Sequence, residues 1–563
     1  MQFNVTGSGI VDLRTTNLVG FDGLTFTTTA DTTAQIKVSQ IPPTLLVYEG
    51  SSFRDVVQVF MTTASFDFSG LTLNSWTAGL DRFVIRDSAS NNSITGTSGN
   101  DWIYVTAGLD TANGGAGTDD ILYIDYAADT QSFSMAGPSV ITDGVNTSVT
   151  FSNFERMNVS FGSGNDNIAT GGGNDTLDGG SGNDTLNSGA GAAIVRGGLG
   201  TDQWIADFSG DATAKTINLN LTGLQNAGNA TSYRDLERLS FTGGAGNDVI
   251  TSRTNDANDG LSDTLNGGFG NDTLTVGGGV DTVNGGNGDD LLIVDYSTDT
   301  DASLTFGTNF SDSSNTAVSF ANIERFDFRG GTGNDSITLG VGNDTFSGGL
   351  GNDTANGGGG LDTLSYAGLA TRVVLTVRDL QVATTRGVGS GNDTATLFEV
   401  FIFGEASDLA TGNTADEAFY GGVGRDRLRG GAGNDTLDGG NNIDRIEGGS
   451  GQDLMSGGAA ADNFEFGNLG HMNRLEADAD IITDFLVNSD TIDLSLLDAI
   501  PGGAFDTFAW IGTAAFTALG QLRQYDNGTD TFIALNTNGG LAADYTIRLN
   551  GLHTLAETDF ILV

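Results

Sequence analysis

Between about residues 90 and 466 one apolar side chain recurs every nine positions in a background of glycine, asparagine and threonine, with an aspartate two positions before it, as in Asp435-Thr436-Leu437. A period of nine suits neither the 3.6-residue repeat of a helix nor a long alternating strand, so each unit holds one tight turn and one very short strand. The unit reads Gly-Gly-x-Gly-x-Asp-x-U-x, with U apolar. The U positions form a core-facing stripe of Ile103, Ile121, Ile168, Leu177, Leu186, Trp204, Ile250, Leu265, Leu274, Val283, Leu292, Ile337, Phe346, Leu364, Leu428, Leu437, Ile446, Met455 and Phe464, with Ala112, Ala355 and Ala410 as small members. Two units are expected to make one flattened coil of eighteen residues. Stacked coils then give an all-β fold, a right-handed parallel β-roll or β-helix solenoid with strand-rich end caps.

The unit's aspartates fall at Asp101, Asp110 and Asp119, then at Asp166, Asp175, Asp184 and Asp202. Later runs place them at Asp248, at Asp263, Asp272, Asp281 and Asp290, at Asp335, Asp344, Asp353 and Asp362, and at Asp408, Asp426, Asp435, Asp444, Asp453 and Asp462. Asn92, Ala193 and Glu417 keep the spacing and read as degenerate units that have lost the ligand. A loop with Asn255, Asp256 and Asp259 breaks the register between Asp248 and Asp263.

A longer period lies above the short one, because the runs are separated by nearly constant intervals: Asp119 to Asp166, Asp202 to Asp248, Asp290 to Asp335 and Asp362 to Asp408. The spacers open on extended segments such as Leu122 to Tyr126. They close on Glu155-Arg156-Met157, Glu237-Arg238-Leu239 and Glu324-Arg325-Phe326, with Glu399-Val400-Phe401 as a shortened version. Apolar and polar side chains alternate around these phrases, which predicts half-buried strands in broader coils of the same solenoid. The Glu-Arg pairs read as a surface salt-bridged ladder, with a glycan-contacting stripe as the alternative.

Residues 1–79 contain no such unit and alternate like strands, which suits an N-terminal β cap or a small separate β module. The expected organisation is therefore 1–79, a solenoid over 80–466, and a C-terminal cap with export information over 467–563.

Charge gives the aspartates a chemistry. The chain has 71 acidic and 23 basic residues, a net charge of −48, which opposes compaction unless cations neutralise it. Glycine turns that direct carbonyls inward, together with hard carboxylate oxygens, suit Ca²⁺, so the aspartates above are the candidate metal ligands. Roughly 10–15 ions would cancel about half of the charge. The scattered basic residues argue against nucleic acid and against an anionic membrane surface. No cysteine is present, and no segment is apolar enough for a membrane span. The start, Met1 to Gly7, lacks a basic n-region and an apolar h-region, so export is expected to proceed without a cleaved N-terminal signal.

The nonapeptides Gly431-Ala432-Gly433-Asn434-Asp435-Thr436-Leu437 and Gly268-Phe269-Gly270-Asn271-Asp272-Thr273-Leu274 resemble those of the repeats-in-toxin (RTX) family. That resemblance implies a calcium-loaded parallel β-roll and export from a Gram-negative bacterium by type I secretion machinery. Ala461 to Phe466, Asp480 to Phe485 and Asp490 to Ser495 are similar to the C-terminal region of serralysin-type secreted proteins. The final Asp559-Phe560-Ile561-Leu562-Val563 is similar to their uncleaved secretion signal. Leu535 to Gly540 has fewer acids than that family, which argues against calcium binding there. In a cytosol poor in calcium the carboxylates keep the chain unfolded; outside, the ion binds only the folded form and draws it to that state.

An enzyme is not expected. His471 and His553 are the two histidines and neither lies in His-Glu-x-x-His, while a Gly-x-Ser-x-Gly elbow and a phosphate loop are absent. The leading expectation is a calcium-dependent extracellular structural protein that self-associates at a bacterial cell surface, similar to surface-layer proteins. A secreted adhesin or carbohydrate-binding protein, meeting a surface glycan or lipopolysaccharide, is the alternative. A third reading is an accessory or catalytic partner in polysaccharide modification.

Overall fold

The computed structural model describes residues 55–74, 82–228, 230–254, 261–297, 317–378, 391–473, 475–502, 505–540 and 542–563, with shorter stretches before residue 55 and within 305–311 and 382–387. The loop holding Asn255, Asp256 and Asp259 lies outside the described residues. The chain divides into two compact units, residues 1–253 with 261–274 and 281–288, and residues 254–260 and 275–280 with 289–563. Both are built from short, mostly parallel strands.

In the first unit successive strands alternate between two sheets. Thr176–Ser181 pairs in parallel with Ile194–Leu199 in one, and Thr185–Gly189 with Gln203–Asp207 in the other. Leu177 faces Val195 and Leu186 faces Trp204, a register of eighteen residues that stacks one coil on the next. All four side chains are fully buried, which stabilises each rung by roughly 1.5–3 kcal/mol per large apolar residue. The second unit repeats the arrangement: Leu428 stacks on Ile446, and Leu437 on Met455. Every U position is buried, including the three alanines. The fold is thus a parallel, strand-rich roll.

The turns between these strands depend on backbone that only glycine adopts readily. Gly431 and Gly433 have φ of 113° and 126°. A Cβ on Gly433 would also overlap the Ala415 carbonyl of the preceding coil.

The spacers differ from the expected broadened coils. Val140–Thr142 runs antiparallel to both Ser134–Gly137 and Ser148–Ser152, and Val373–Arg378 forms a hairpin with Val382–Gly387. Parallel pairing bridges across these hairpins, joining Leu109–Asn113 to Ser148–Ser152. A hairpin can enter and leave a sheet without completing a coil, so the spacer lengthens while the stack stays in register.

Before the first repeat, Thr32–Lys37, Asp55–Phe60 and Arg82–Arg86 pair in parallel and continue into Asp101–Val105. At the other end Tyr545–Leu549 pairs in parallel with Asp480–Ile482, and Phe560–Ile561 with Thr491–Asp493. Asp559 is fully buried, where it accepts the Asn488 and Ala556 amides.

Candidate calcium-binding turns

Each turn places its acid by the same local rule: the acid stands two positions before the buried apolar residue of the following strand. The strand then points that side chain inward and holds the acid at the corner where strand meets turn. Every aspartate of the repeat except Asp119 is buried, at 0–3% exposure.

Within a run the acids form ladders. Asp166 donates its backbone N–H to Asp184 Oδ1 at 2.8 Å, and Asp184 donates to Asp202 at 2.8 Å. In the second unit Asp408, Asp426, Asp444, Asp462 and Asp490 are linked in the same way at 2.7–3.0 Å. A parallel ladder joins Glu417, Asp435, Asp453 and Asp480 at 2.9–3.1 Å. Shorter ladders link Asp248 to Asp272, Asp263 to Asp281, Asp335 to Asp353 and Asp344 to Asp362. Met157, Leu239 and Phe326 donate to Asp175, Asp263 and Asp344, and Asn92 to Asp110. The preceding residue builds a second, exposed ladder: Asn183 donates to Asn165 Oδ1 and Thr201 to Asn183 Oδ1, which explains why asparagine favours that place.

One oxygen of each acid is therefore occupied. The other, Oδ2 of Asp110, Asp120, Asp166, Asp184, Asp202, Asp248, Asp362, Asp408, Asp426, Asp435, Asp444, Asp453 and Asp462 and Oε1 of Glu417, is buried with no hydrogen-bond partner. A neutral polar atom buried this way costs about 1–3 kcal/mol, and a charged one more. Burial accordingly raises Asp426, Asp444 and Asp453 to about 7 and Asp435 to about 6. Glu417 is pushed to about 8 by burial first and the Asp435 charge second.

Most of the orphaned oxygens face a cradle; Asp110, Asp166 and Asp408, which have Val105, Phe161 and Phe403 at the glycine position, do not. A Cβ on Gly421 would lie 2.8 Å from Asp426 Oδ2 and 2.5 Å from the Gly439 carbonyl of the next coil. Gly179 stands in the same relation to Asp184 and Gly197, and Gly430 to Asp435 and Gly448. Carboxylate and carbonyl oxygens converging on a space that only glycine leaves open fit a hard divalent cation. Among the described residues no three His, Cys, Asp or Glu side chains gather at one point. An ion in these cradles would draw much of its shell from backbone carbonyls.

The structure departs from the nine-residue count in several places. Asp119 sits at the surface, paired with Arg156 at 2.5 Å, while Asp120 takes the buried corner and accepts the Asp101 amide. One extra residue separates this turn from its strand, so Leu122 rather than Ile121 stacks between Ile103 and Met157. Asp101 has both oxygens engaged by Thr97, which stands where other turns have glycine, and Asp344 Oδ2 accepts the Gly340 amide; these two fit an ion least. Glu417, expected to be degenerate, keeps an acid at the buried corner, with Oε1 lacking a hydrogen-bond partner.

The Glu-Arg phrases belong to the acid ladders. Glu155, Glu237, Glu324 and Glu399 accept the amides of Asp120, Asp202, Asp290 and Asp362, the last acid of each preceding run, at 2.8–2.9 Å. Arg156 and Arg325 hold the half-buried Asp119 and the exposed Asp289 beside those corners. Asp393, Asp480 and Asp490 also enter the ladders and were missed by the template, although each stands two positions before a buried residue.

The family model described as the RTX calcium-binding nonapeptide repeat matches residues 87–121, 162–195, 240–254, 258–292, 329–364, 411–446 and 438–468. Among solved structures the chain is similar to the AlgE6R2 subunit of the Azotobacter vinelandii mannuronan C5-epimerase, with 25% identity, 27% of this chain and 91% of that one covered, and a TM-score of 0.22. The AlgE6R3 subunit of the same enzyme gives 29% identity, 28% and 78% coverage and a TM-score of 0.15. No curated protein matches.

Proposed function

The chain carries RTX-type calcium-binding nonapeptide repeats, and from this premise we propose that it is a calcium-dependent extracellular structural protein. The carrying observation is the file of buried carboxylate oxygens without partners, most of them beside a glycine cradle. In this reading the ligands are the repeat aspartates other than Asp101 and Asp344, with Asp120 in place of Asp119, joined by Glu417 and the ladder-ending glutamates. Calcium bound there neutralises acids that burial would otherwise protonate, and roughly 10–15 ions suit the number of cradles. Ion binding is then folding free energy, because the unfolded chain has no cradles.

Residues 1–79 and 467–563 act as caps: strands on both sides continue the sheets of the repeats, and a solenoid needs its open edges covered. Type I export of the ion-free chain, followed by folding and self-association at the surface of a Gram-negative bacterium, completes this reading; ion-dependent folding and the tail's resemblance to exported relatives support its export step. Among the described residues no helix is long and apolar enough to cross a membrane. The test is light scattering and electron microscopy of the full chain with millimolar calcium and with chelator. Assembly in calcium alone supports the reading, and a monomer in both at high concentration contradicts it.

A further inference from the structure

The outward face of the sheet that precedes the acid ladders is unlike the rest of the chain. Inward positions there are fully buried Ile36, Val57, Val59, Phe83, Ile85, Ile103 and Val105. Between them one register row crosses five parallel strands: Lys37 lies beside Phe60, Phe60 beside Arg86, Arg86 beside Tyr104 and Tyr104 beside Tyr123. The Arg86 guanidinium lies 4.0 Å above the Tyr104 ring, which stacks on Tyr123 at 4.2 Å and 7°. Next to this row the Arg82 guanidinium lies 4.0 Å above Trp102. Lys37 is exposed and the other members are half-buried.

Charge singles out the same region. Residues 1–90 hold 5 basic and 8 acidic residues, a net of −3, whereas residues 91–563 hold the other 18 and 63, a net of −45. A ring-stacked guanidinium keeps its N–H edge available to a carboxylate and loses little freedom on binding one. Trp, Tyr and Arg together are the composition of energetic centres in protein interfaces.

We propose that this cation–aromatic face is the docking surface for the acidic repeat surface of a second copy of the chain. The inference rests on the self-assembly reading and gives it a contact. The complementary surface is at hand in every copy, because Asp125, Asp207, Asp235, Asp289 and Asp416 lie exposed outside the buried ladders; the two patches differ, so the contact is heterologous and propagates into a filament or sheet instead of closing as a dimer.

The test uses the full chain in millimolar calcium, comparing wild type with Arg86→Glu, Tyr104→Ser and Arg378→Glu. The last makes the same charge change at the exposed end of the spacer strand Val373–Arg378, outside the repeat turns. Far-UV circular dichroism and calcium-loaded melting verify the fold of each, and Tyr104→Ser repeats the test without a charge change should Arg86→Glu melt early. The concentration at which assembly begins is expected to rise about tenfold or more for Arg86→Glu and Tyr104→Ser and to stay put for Arg378→Glu, and added salt at constant calcium should weaken wild-type assembly. Equal assembly by all four proteins overturns the docking face and leaves self-assembly standing. A monomeric wild type removes both. If Arg86→Glu assembles normally but loses retention on immobilised polygalacturonate, the face receives an acidic glycan and the proposal is wrong.

Discussion

The strands over residues 32–86 and the coils over 408–490 share one geometry and differ in what fills them. The first set buries two large apolar residues per strand, Val57 with Val59 and Phe83 with Ile85, and no acid among those strands' described positions. The second buries one per short strand, Leu437 or Met455, with an acid at every corner. Parallel stacking therefore does not require the acid ladder. The ladder makes folding conditional, replacing part of a hydrophobic core with sites whose cost depends on the ions outside.

Removal of calcium should expose this difference most strongly. In chelator at pH 7.5 most of the β signal is expected to vanish, and hydrogen exchange should find the amides of Asp426, Asp435, Asp444 and Asp453 unprotected while those of Val57, Val59 and Ile85 keep the slower exchange. Equal loss of protection in both regions would remove the distinction.

Acidity should partly substitute for calcium. The ladder acids have folded-state values raised to about 6–8, so the folded form binds more protons than the unfolded form, whose aspartates titrate near 3.8. The stabilisation from protonation is full below about 4 and is lost as pH rises through about 6–8. In chelator, β content at pH 5 should exceed that at pH 8, and calcium binding at pH 7 should release protons, measurable by titration in buffers of different ionisation enthalpy. A fold that ignores pH over this range in chelator would contradict the raised values.

Single substitutions sharpen the contrast between core and cradle. Leu437→Ala leaves a cavity beneath the ladder and is expected to cost about 2–5 kcal/mol in calcium-saturated denaturant unfolding. Gly430→Val should cost about 1–3 kcal/mol through overlap, but its larger signature is one fewer ion in calorimetric stoichiometry, which Leu437→Ala leaves unchanged.

The smallest effect concerns the turns that lead into the ladder-ending glutamates. Asn153, Asp235, Asn322 and Leu397 stand two positions before Glu155, Glu237, Glu324 and Glu399, all with φ of 52–58°. Asn and Asp tolerate that region and a leucine does not, so Leu397→Asn should stabilise by about 1 kcal/mol in the same unfolding assay.

The roll and its core were legible because one apolar residue per nine leaves a single way to bury it. Counting nines from glycine was the weaker guide to the acids. It placed the first run's last acid at Asp119, where one inserted residue moves the corner to Asp120, and it passed over Glu417 as degenerate. The more faithful signal is an acid two positions before a buried apolar residue, which Glu155-Arg156-Met157, Asp393-Thr394-Ala395 and Asp490-Thr491-Ile492 all carry. The antiparallel hairpins in the spacers were not legible, since alternation predicts a strand without its direction.

The central claim is that the partnerless buried oxygens are calcium ligands, and long-wavelength anomalous diffraction from calcium-grown crystals tests it most directly. Peaks are predicted beside Oδ2 of Asp426, Asp435, Asp444 and Asp453, each within coordination distance of a glycine carbonyl of a neighbouring coil. An ordered roll with no peak at any of these corners would contradict the account.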